Sequence, residues 1–595
     1  MNYYLDQKEI DELTIDGKDL QISFDFMALP RGRGEQYIFQ THDTDQGVRL
    51  EIPSRSVVNL ISGNRNSKKT VMNIRNNLSY KYWLHVNMTI STQDGIIGVL
   101  GNEKFRCLEC RNNVLEKISF GNGNIKGHSF KGKIKNIKVL IQDPKKDLFF
   151  QIGIISFFAF LISFLVPSEK MIEKLQNGRF SKIFKSNSNT FFVYFIFGIL
   201  SILMLVALGY HAFFSYRGFP YSTFLFDPLD RFNDLFNTMR SAIAFNPYRG
   251  SKLGLAPYFP FAYLISGLYA KIFSPLWVPI MFLSLISAMI LLFKNSLANG
   301  AKEQRKPLYY IALLFIIFIN YPVLFTLDRA NIELFIFCGF VVSYLNFKKH
   351  PWVADITIAG VIAAKLYPAL FMIFYLKNRQ YKRIVVIAFL AIFLELFSLW
   401  VFQGSIIDNF TAQLAQQKQF TEGYGAGAKG WYYRHSLWSG LKSINAMLDL
   451  NLHFPSMMFG YALFTLVTVF GFLIVALRYP FEDWQLILII ISLMSLLPFA
   501  SADYLLLHFL LPLALFLEQV KEPNPFKVYY AFYFALILAP LNYSLSWITP
   551  GMPNRVHLST IATPLTLLLF LYALIYEGKK RLKTQAIKGL ESSLD

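Results

Sequence analysis

Charged residues are scarce in this chain of 595 residues: Asp, Glu, Lys and Arg make up 16% of it, whereas 54% is hydrophobic. A soluble protein of this length divides into domains whose surfaces need more charge. Cysteine is scarcer still, with three residues: Cys107 and Cys110 form a CxxC, and Cys338 lies in an apolar run. A structural zinc site usually needs four ligands, so one CxxC indicates two ordinary cysteines or a local disulfide.

The chain is rich in long apolar runs. Six of them are each roughly 19–22 residues long, enough to cross about 30 Å of hydrocarbon. They are 148–166, 191–212, 308–327, 384–402, 457–477 and 528–547. Basic clusters flank both ends of a further run, 354–376, which favours a re-entrant hairpin buried against other helices. Together with the interrupted run 259–293, these segments predict a polytopic α-helical membrane protein with about 11–13 membrane segments.

The formal net charge is +20, which on its own would suit a nucleic-acid-binding protein. The basic residues, however, gather in short loops beside the apolar runs, as Lys377, Arg379, Lys382 and Arg383 do. This is the positive-inside pattern, and it places such loops and the basic tail 577–595 in the cytoplasm. The sequence therefore predicts a lipid bilayer as partner and no nucleic acid.

Residues 1–147 have a different pattern. Apolar and polar residues alternate, as in Ile22-Ser-Phe24-Asp-Phe26, between turns rich in Gly, Asn and Asp, which predicts an all-β antiparallel sandwich. The order of its parts, from ISFDF through YIFQTHDTDQGVRLEI to a closing strand after Phe130, resembles laminin-G and concanavalin-A-like jelly rolls. Such modules often bind carbohydrate, and many are only spacers; the sequence leaves both roles open.

The basic loop 167–189 is expected to be cytoplasmic, so the β domain and the loop after the run 191–212 are expected outside the cytoplasm. No apolar signal-peptide region is visible at the N-terminus. Three explanations stay open: the run 148–166 is a reverse anchor, upstream residues are missing, or the orientation is reversed. The predicted domains are the β-sandwich 1–147, an anchor helix and linker 148–189, a membrane domain 190–576 and the tail 577–595.

Three acidic residues, Asp227, Asp230 and Asp234, follow the run 191–212. Carboxylates at a membrane surface are costly unless they have a chemical role. They are followed by the turn Asn246-Pro247-Tyr248. This order resembles the first extracytoplasmic loop of GT-C membrane glycosyltransferases, which take sugars from polyprenyl-phosphate carriers, and in particular bacterial polyprenol-dependent mannosyltransferases.

The resemblance implies an inverting transfer, for which one carboxylate suffices as the base on the acceptor hydroxyl. Asp230 has the family's spacing to Tyr248, whereas Asp234 has the better local match, so both are candidate bases. On a helix they would lie i, i+4 on one face, about 6 Å apart. Asp227 precedes a proline and is more typical of a turn. Tyr248 is implied to bind substrate.

A second stretch carries Arg329, Asn331 and Glu333, and is followed by an apolar helix that ends at Lys365-Leu-Tyr-Pro368. This combination resembles the core of the same family, and the resemblance implies substrate binding by these residues. Arg329 is predicted to hold a phosphate, because a guanidinium forks onto oxyanions, and Glu333 to pair with it. Lys365 needs a partner anion or a polar cavity, unless it snorkels to the interface.

The loop 404–455 is rich in glycine and aromatic residues and contains His435-Ser436-Leu437. It resembles the family's H-x-S-L element without the intervening residue, which implies that His435 donates to the donor phosphate or relays a proton. A merely exposed histidine is the alternative. No cofactor is expected, and since no DxD or histidine cluster is present, a divalent metal is neither indicated nor excluded.

These observations predict an integral-membrane inverting glycosyltransferase on the outer face of the cytoplasmic membrane. It would transfer a sugar from a polyprenyl-phosphate donor to a glycolipid or polysaccharide acceptor. The first alternative is a polysaccharide or lipid-linked-sugar flippase, polymerase or transporter that uses Lys365 and Glu333. The second is a surface adhesin whose β domain binds glycan, although one span would suffice to anchor it.

Overall fold

Two kinds of secondary structure occupy separate parts of the chain, strands in 19–142 and helices in 188–591. The strands and the helices belong to two separate compact units. The computed structural model describes the strand residues given below and residues 188–213, 232–244, 246–249, 256–273, 276–302, 307–426, 434–448, 452–520, 525–541 and 557–591.

The described residues of the first unit form antiparallel strands. Neighbouring strands hydrogen-bond in two five-stranded sheets, with the orders β10-β1-β6-β7-β8 and β5-β4-β3-β2-β9. The strands are β1 Asp19–Ala28, β2 Gln36–Gln40, β3 Gly47–Ser54, β4 Val57–Asn64, β5 Ser67–Ile74, β6 Leu84–Ser91, β7 Gly95–Leu100, β8 Glu103–Cys107, β9 Ser119–Phe120 and β10 Gly132–Gln142. Val86 and Met88, two residues apart on β6, are both buried and so share one face. The predicted β-sandwich, its jelly-roll resemblance, its bounds and a sugar site stay predictions.

The second unit is helical. Its α-helices are α1 Ser188–Phe213, α2 Asn233–Ile243, α3 Pro260–Phe273, α4 Trp277–Leu292, α5 Lys294–Lys302, α6 Pro307–Phe318, α7 Tyr321–Arg329, α8 Glu333–Asn346, α9 Pro351–Ala364, α10 Met372–Lys377, α11 Tyr381–Val401, α12 Ile406–Phe420, α13 Leu437–Leu448, α14 Phe454–Arg478, α15 Asp483–Leu496, α16 Leu510–Gln519, α17 Pro525–Leu538 and α18 Ser559–Glu591. Two 3-10 helices, Tyr367–Phe371 and Asp503–Phe509, and a π-helical turn, Thr421–Ala426, complete the described helical elements.

Several of these helices are apolar enough for a membrane. Among the described residues, α1, α11, α14 and α18 are each long enough to cross one, and the pairs α3–α4 and α6–α7 raise the number to six if each pair is a broken span. Helices α8, α9, α15 and α17 and the segment Tyr367–Lys377 are shorter apolar pieces. The polytopic class is in agreement with these helices. The total of 11–13 segments stays a prediction, and the run 148–166 lies outside the described residues.

The region with basic flanks is a helical hairpin, as predicted. Helix α9 ends before Lys365, and the chain returns through Tyr367–Phe371 and α10. At the open end, Arg383 donates to both carboxylate oxygens of Asp355 at 2.7 and 3.1 Å, and Tyr375 donates to Asp355 at 3.2 Å. Lys365 at the tip is ten positions beyond Asp355, which corresponds to about 15 Å along a helix.

Candidate active site

Of the two predicted bases, Asp230 and Asp234, only Asp234 lies within the described residues. Its Oδ1 accepts a hydrogen bond from Arg329 Nη2 at 2.8 Å, and its Oδ2 accepts one from Asn331 Nδ2 at 2.7 Å. The side chains of Arg329 and Asp234 are 12% and 21% exposed, so this ion pair lies at an accessible edge. Asp230 and Asp227 lie outside the described residues. The site therefore brings one candidate base next to two of the predicted substrate-binding residues.

Two left-handed residues shape this corner. Phe232, at φ 54°, precedes α2 and donates its backbone N–H to Asp328 O at 2.8 Å, which fixes the start of α2 against the end of α7. Ala330, at φ 47°, ends α7 directly after Arg329. Non-glycine residues seldom adopt this conformation. The turn interrupts the helix between Arg329 and Glu333, so the ion pair expected between these two does not form; Arg329 binds Asp234 instead.

Glu333 is the centre of a buried polar cluster. It is 0% exposed, and its carboxylate accepts hydrogen bonds from Lys365 Nζ, from the Tyr367 hydroxyl and, at 3.0 Å, from His508 Nε2. A buried carboxylate is tolerated only when it is paired and hydrogen-bonded, and three donors meet that requirement. Glu333 is thus the anion that the sequence predicted beside Lys365, whose side chain is 14% exposed.

Asn331 joins this cluster to Asp234. Its Oδ1 accepts from the backbone N–H of Glu333 at 3.1 Å, while its amide donates to Asp234. The Tyr258 ring covers Lys365, with Nζ 5.0 Å from the ring centroid. Burial raises the pKa of Tyr258 well above its usual range, and the negative charge of Asp234 raises it further, so Tyr258 is a neutral phenol. Asp234, Asn331, Glu333 and Lys365 form one continuous polar path.

His435 is held on both ring nitrogens. Nδ1 lies 3.1 Å from Asp503 Oδ1, and Nε2 lies 3.1 Å from Ser501 Oγ. Asp503 also accepts from the Tyr321 hydroxyl at 3.1 Å. Because His435 is 0% exposed, a direct contact with phosphate requires one of these bonds to break. In this structure His435 orients Asp503.

Among the described residues, Tyr248 contacts the site through Tyr258. Its hydroxyl donates to Tyr258 O at 2.9 Å, and its ring packs edge-on against Tyr263 and Phe402. The neighbouring Asn246 donates to Asn409 Oδ1 at 2.7 Å on α12. The Asn-Pro-Tyr turn therefore attaches the loop before α3 to the end of α11 and to α12. A direct substrate contact by Tyr248 stays a prediction.

Three residues of the 3-10 helix Asp503–Phe509 complete the cluster and were missed from the sequence. Asp503 binds His435, His508 binds Glu333, and the Tyr504 ring centroid lies 5.6 Å from Lys365 Nζ. A histidine inside the apolar run LLLHFLL was an available signal, because ionisable residues in such runs are seldom incidental. Nothing in the local sequence indicates that this histidine meets Glu333.

The amine of Lys442, on α13 of the same unit, is buried: Lys442 is 4% exposed. Burial lowers its pKa to about 8, and the positive charge of Arg434 adds to the shift. Between this value and the unfolded value of 10.5, the unfolded chain binds more protons, so stability rises with pH across that window.

We expect the thermal unfolding midpoint of Lys442→Met to exceed that of the wild type near pH 7, because the variant buries no charge. The difference should shrink between pH 8 and 10.5 as Lys442 loses its proton in the folded state. Unfolding midpoints of both proteins in detergent, recorded at half-unit pH steps, measure this. A constant difference between the two unfolding midpoints across this pH range would contradict the prediction that Lys442 is buried with its charge.

Within the described residues, no group of three or more His, Cys, Asp or Glu side chains is placed to hold a metal ion. The available chemistry is that of a partly exposed carboxylate beside a guanidinium, with an ammonium on the same polar path. Such a site suits proton abstraction from a hydroxyl and stabilisation of an anionic leaving group.

Residues 253–507 match the model of glycosyltransferase family 87. The matched region covers less than half of the chain. It contains Arg329, Lys365, His435 and Asp503, and it begins after Asp234. The enzyme class predicted from the sequence is the one that this match supports. No curated protein matches the chain.

Solved structures give only weak likenesses. The arabinosyltransferase EmbB from Mycobacterium smegmatis is 12% identical, with 94% of this chain and 59% of that chain covered and a TM-score of 0.20. The binding domain of botulinum neurotoxin DC in complex with rat synaptotagmin II is 16% identical, with 22% and 35% covered and a TM-score of 0.18. The chain thus spans about a third of the length of that toxin domain. TM-scores this low carry no argument, and the laminin-G-like resemblance gains no support.

Proposed function

We propose that the chain is an inverting membrane glycosyltransferase that moves a sugar from a polyprenyl-phosphate donor to a glycolipid or polysaccharide acceptor. The observation that carries the proposal is that hydrogen bonds of Asn331 connect the Arg329–Asp234 pair to the Lys365–Glu333 pair within an apolar helical unit. The match to glycosyltransferase family 87, which includes Arg329 and Lys365, supports the reaction class.

Asp234 is the proposed base. It takes the proton of the acceptor hydroxyl while the acceptor oxygen forms a bond to the anomeric carbon of the sugar. The bond between that carbon and the phosphate oxygen breaks on the opposite face, and the electron pair leaves with the polyprenyl phosphate. Attack from the face opposite the leaving group inverts the anomeric centre.

Arg329 and Lys365 are the proposed partners of the departing phosphate. Both are ionised and partly exposed, and each is fixed by a carboxylate, Arg329 by Asp234 and Lys365 by Glu333. Fixed cations stabilise charge that develops in the transition state without further reorganisation. When a donor phosphate arrives, it competes with Asp234 for the Arg329 guanidinium, which would leave the Asp234 carboxylate free to accept the hydroxyl proton.

The orientation of the hairpin supports a site on the outer face of the cytoplasmic membrane. Lys377, Arg379 and Lys382 lie at the open end of the hairpin, and Lys365 lies at its tip. Basic loops face the cytoplasm, so the tip of the hairpin points away from the cytoplasm. The donor and acceptor lipids would then reach Asp234 from the outer leaflet. The β unit is likewise proposed to be extracytoplasmic.

The test is transfer by the purified protein in lipid nanodiscs. Radiolabelled polyprenyl-phosphate sugars are supplied with a membrane lipid extract as acceptor, and the product's anomeric configuration is determined by NMR. Labelled product of inverted configuration is expected. The flippase or transporter alternative, favoured by the buried Lys365–Glu333 pair, predicts movement of labelled lipid across vesicles without any transfer. Retention of configuration would contradict the inverting mechanism.

A further inference from the structure

Tyr504 has a fixed ring and an unused hydroxyl. The ring is half-buried and stacks on Phe325, with centroids 6.2 Å apart and an interplanar angle of 22°. Lys365 Nζ lies 5.6 Å from the Tyr504 centroid. Within the part of the chain that the structure describes, the Tyr504 hydroxyl has no hydrogen-bond partner. Phenols in such surroundings usually find one, so this hydroxyl is available to a ligand.

The 3-10 helix that carries Tyr504 is fastened at both ends. Asp503 binds His435 and Tyr321, each at 3.1 Å, and His508 binds Glu333 at 3.0 Å. Asp503 and His508 are 1% exposed, and the bonds they make are buried. The position of Tyr504 is therefore set by two separate polar anchors and does not depend on a flexible loop.

The rings of Tyr504 and Tyr258 both lie close to one ammonium group. Lys365 Nζ is 5.0 Å from the Tyr258 centroid and 5.6 Å from the Tyr504 centroid, and Glu333 takes one of its hydrogen bonds. An ammonium has three N–H donors. Lys365 therefore keeps N–H donors for a ligand oxygen, and the Tyr504 ring that carries the unused hydroxyl lies beside it.

We propose that Tyr504 is a further substrate-contacting residue, whose hydroxyl donates a hydrogen bond to a phosphate oxygen of the lipid-linked donor beside Lys365. The inference rests on the proposed function. A phenol and an ammonium that lie this close together suit an anionic oxygen, since both are donors. Asp503 and His508 are then positioning residues that act through Tyr504.

The test is the binding of a short-chain polyprenyl phosphate to the full-length protein in nanodiscs. Tyr504→Phe removes the hydroxyl and keeps the ring against Phe325 and Lys365. Its Kd for polyprenyl phosphate is expected to rise about 10- to 100-fold, the range for a hydrogen bond to a charged group. Its Kd for the uncharged polyprenol and its unfolding midpoint are expected to stay at the wild-type values.

The matched control is Tyr529→Phe. Tyr529 lies on α17, and its buried hydroxyl also lacks a hydrogen-bond partner among the described residues. Tyr529→Phe removes the same hydroxyl oxygen outside the site, so its Kd for polyprenyl phosphate should equal that of the wild type.

The His508 anchor is tested with two variants: His508→Gln keeps an N–H donor to Glu333, and His508→Phe removes it. The glutamine variant should retain more affinity for polyprenyl phosphate than the phenylalanine variant.

An unchanged Kd in Tyr504→Phe, with binding by the wild type, would overturn the Tyr504 contact and leave the proposed function standing. Equal losses of affinity for polyprenyl phosphate and polyprenol would overturn the phosphate assignment, because the lost contact would then be to the lipid. Absence of polyprenyl-phosphate binding by the wild type would overturn both the contact and the proposed donor class.

Discussion

Replacing Asp234 with asparagine is expected to reduce sugar transfer by at least about 100-fold, the lower end of the range for loss of a general base. An amide does not take up the proton of the acceptor hydroxyl. It also has one acceptor oxygen where the carboxylate has two, and both carboxylate oxygens are used, by Arg329 and Asn331. Initial rates with saturating radiolabelled donor in nanodiscs measure the effect.

Asp408→Asn is the matched control for this substitution. Asp408 is 58% exposed and lies 3.6 Å from Arg249 in an exposed ion pair, the kind that contributes little to stability. The same change of charge should leave transfer near the wild-type rate. Full transfer by Asp234→Asn would move the role of base to Asp230, and full transfer by Asp230→Asn as well would remove the proposed base altogether.

The long apolar helices were the part of the fold most open to prediction. The run 384–402 corresponds to α11 and the run 457–477 to α14, because a continuous apolar helix satisfies its own backbone in a bilayer. The run 308–327 is instead broken into α6 and α7, with Asn320 accepting from Val323 N at 3.0 Å as an N-cap. The Asn-Tyr-Pro sequence carried the signal, since proline is tolerated in the first turn of a helix and not in its middle.

The identities of the site residues were easier to predict than their pairings. Arg329 and Glu333 are four residues apart, which on a continuous helix makes them neighbours. The left-handed Ala330 separates them, and hydropathy patterns contain no information about that backbone turn. Likewise, His435 and Asp503 meet only because residues 68 positions apart are brought together by tertiary packing. Local patterns thus indicated the candidate residues, and the fold determined their partners.

Neutralising either member of the Lys365–Glu333 pair is expected to cause the largest loss of stability in the helical unit. Glu333 is fully buried, and Glu333→Gln leaves the Lys365 ammonium without its anion. Breaking a buried ion pair by removing one partner costs about 3–5 kcal/mol. We therefore expect a marked drop in the thermal unfolding midpoint for Glu333→Gln and for Lys365→Met, together with loss of transfer.

The double variant Glu333→Gln, Lys365→Met separates stability from chemistry. It leaves no unpaired charge, and glutamine still accepts from Tyr367 and His508, so much of the stability should return while transfer stays low. The pair Asp355–Arg383, at the open end of the hairpin, provides the comparison. Its single variants should also lower the unfolding midpoint, but its double variant Asp355→Asn, Arg383→Met should regain transfer along with stability, because these two residues lie away from the site. Recovery of transfer by the Lys365–Glu333 double variant would mean that Lys365 only maintains the fold and does not bind the phosphate.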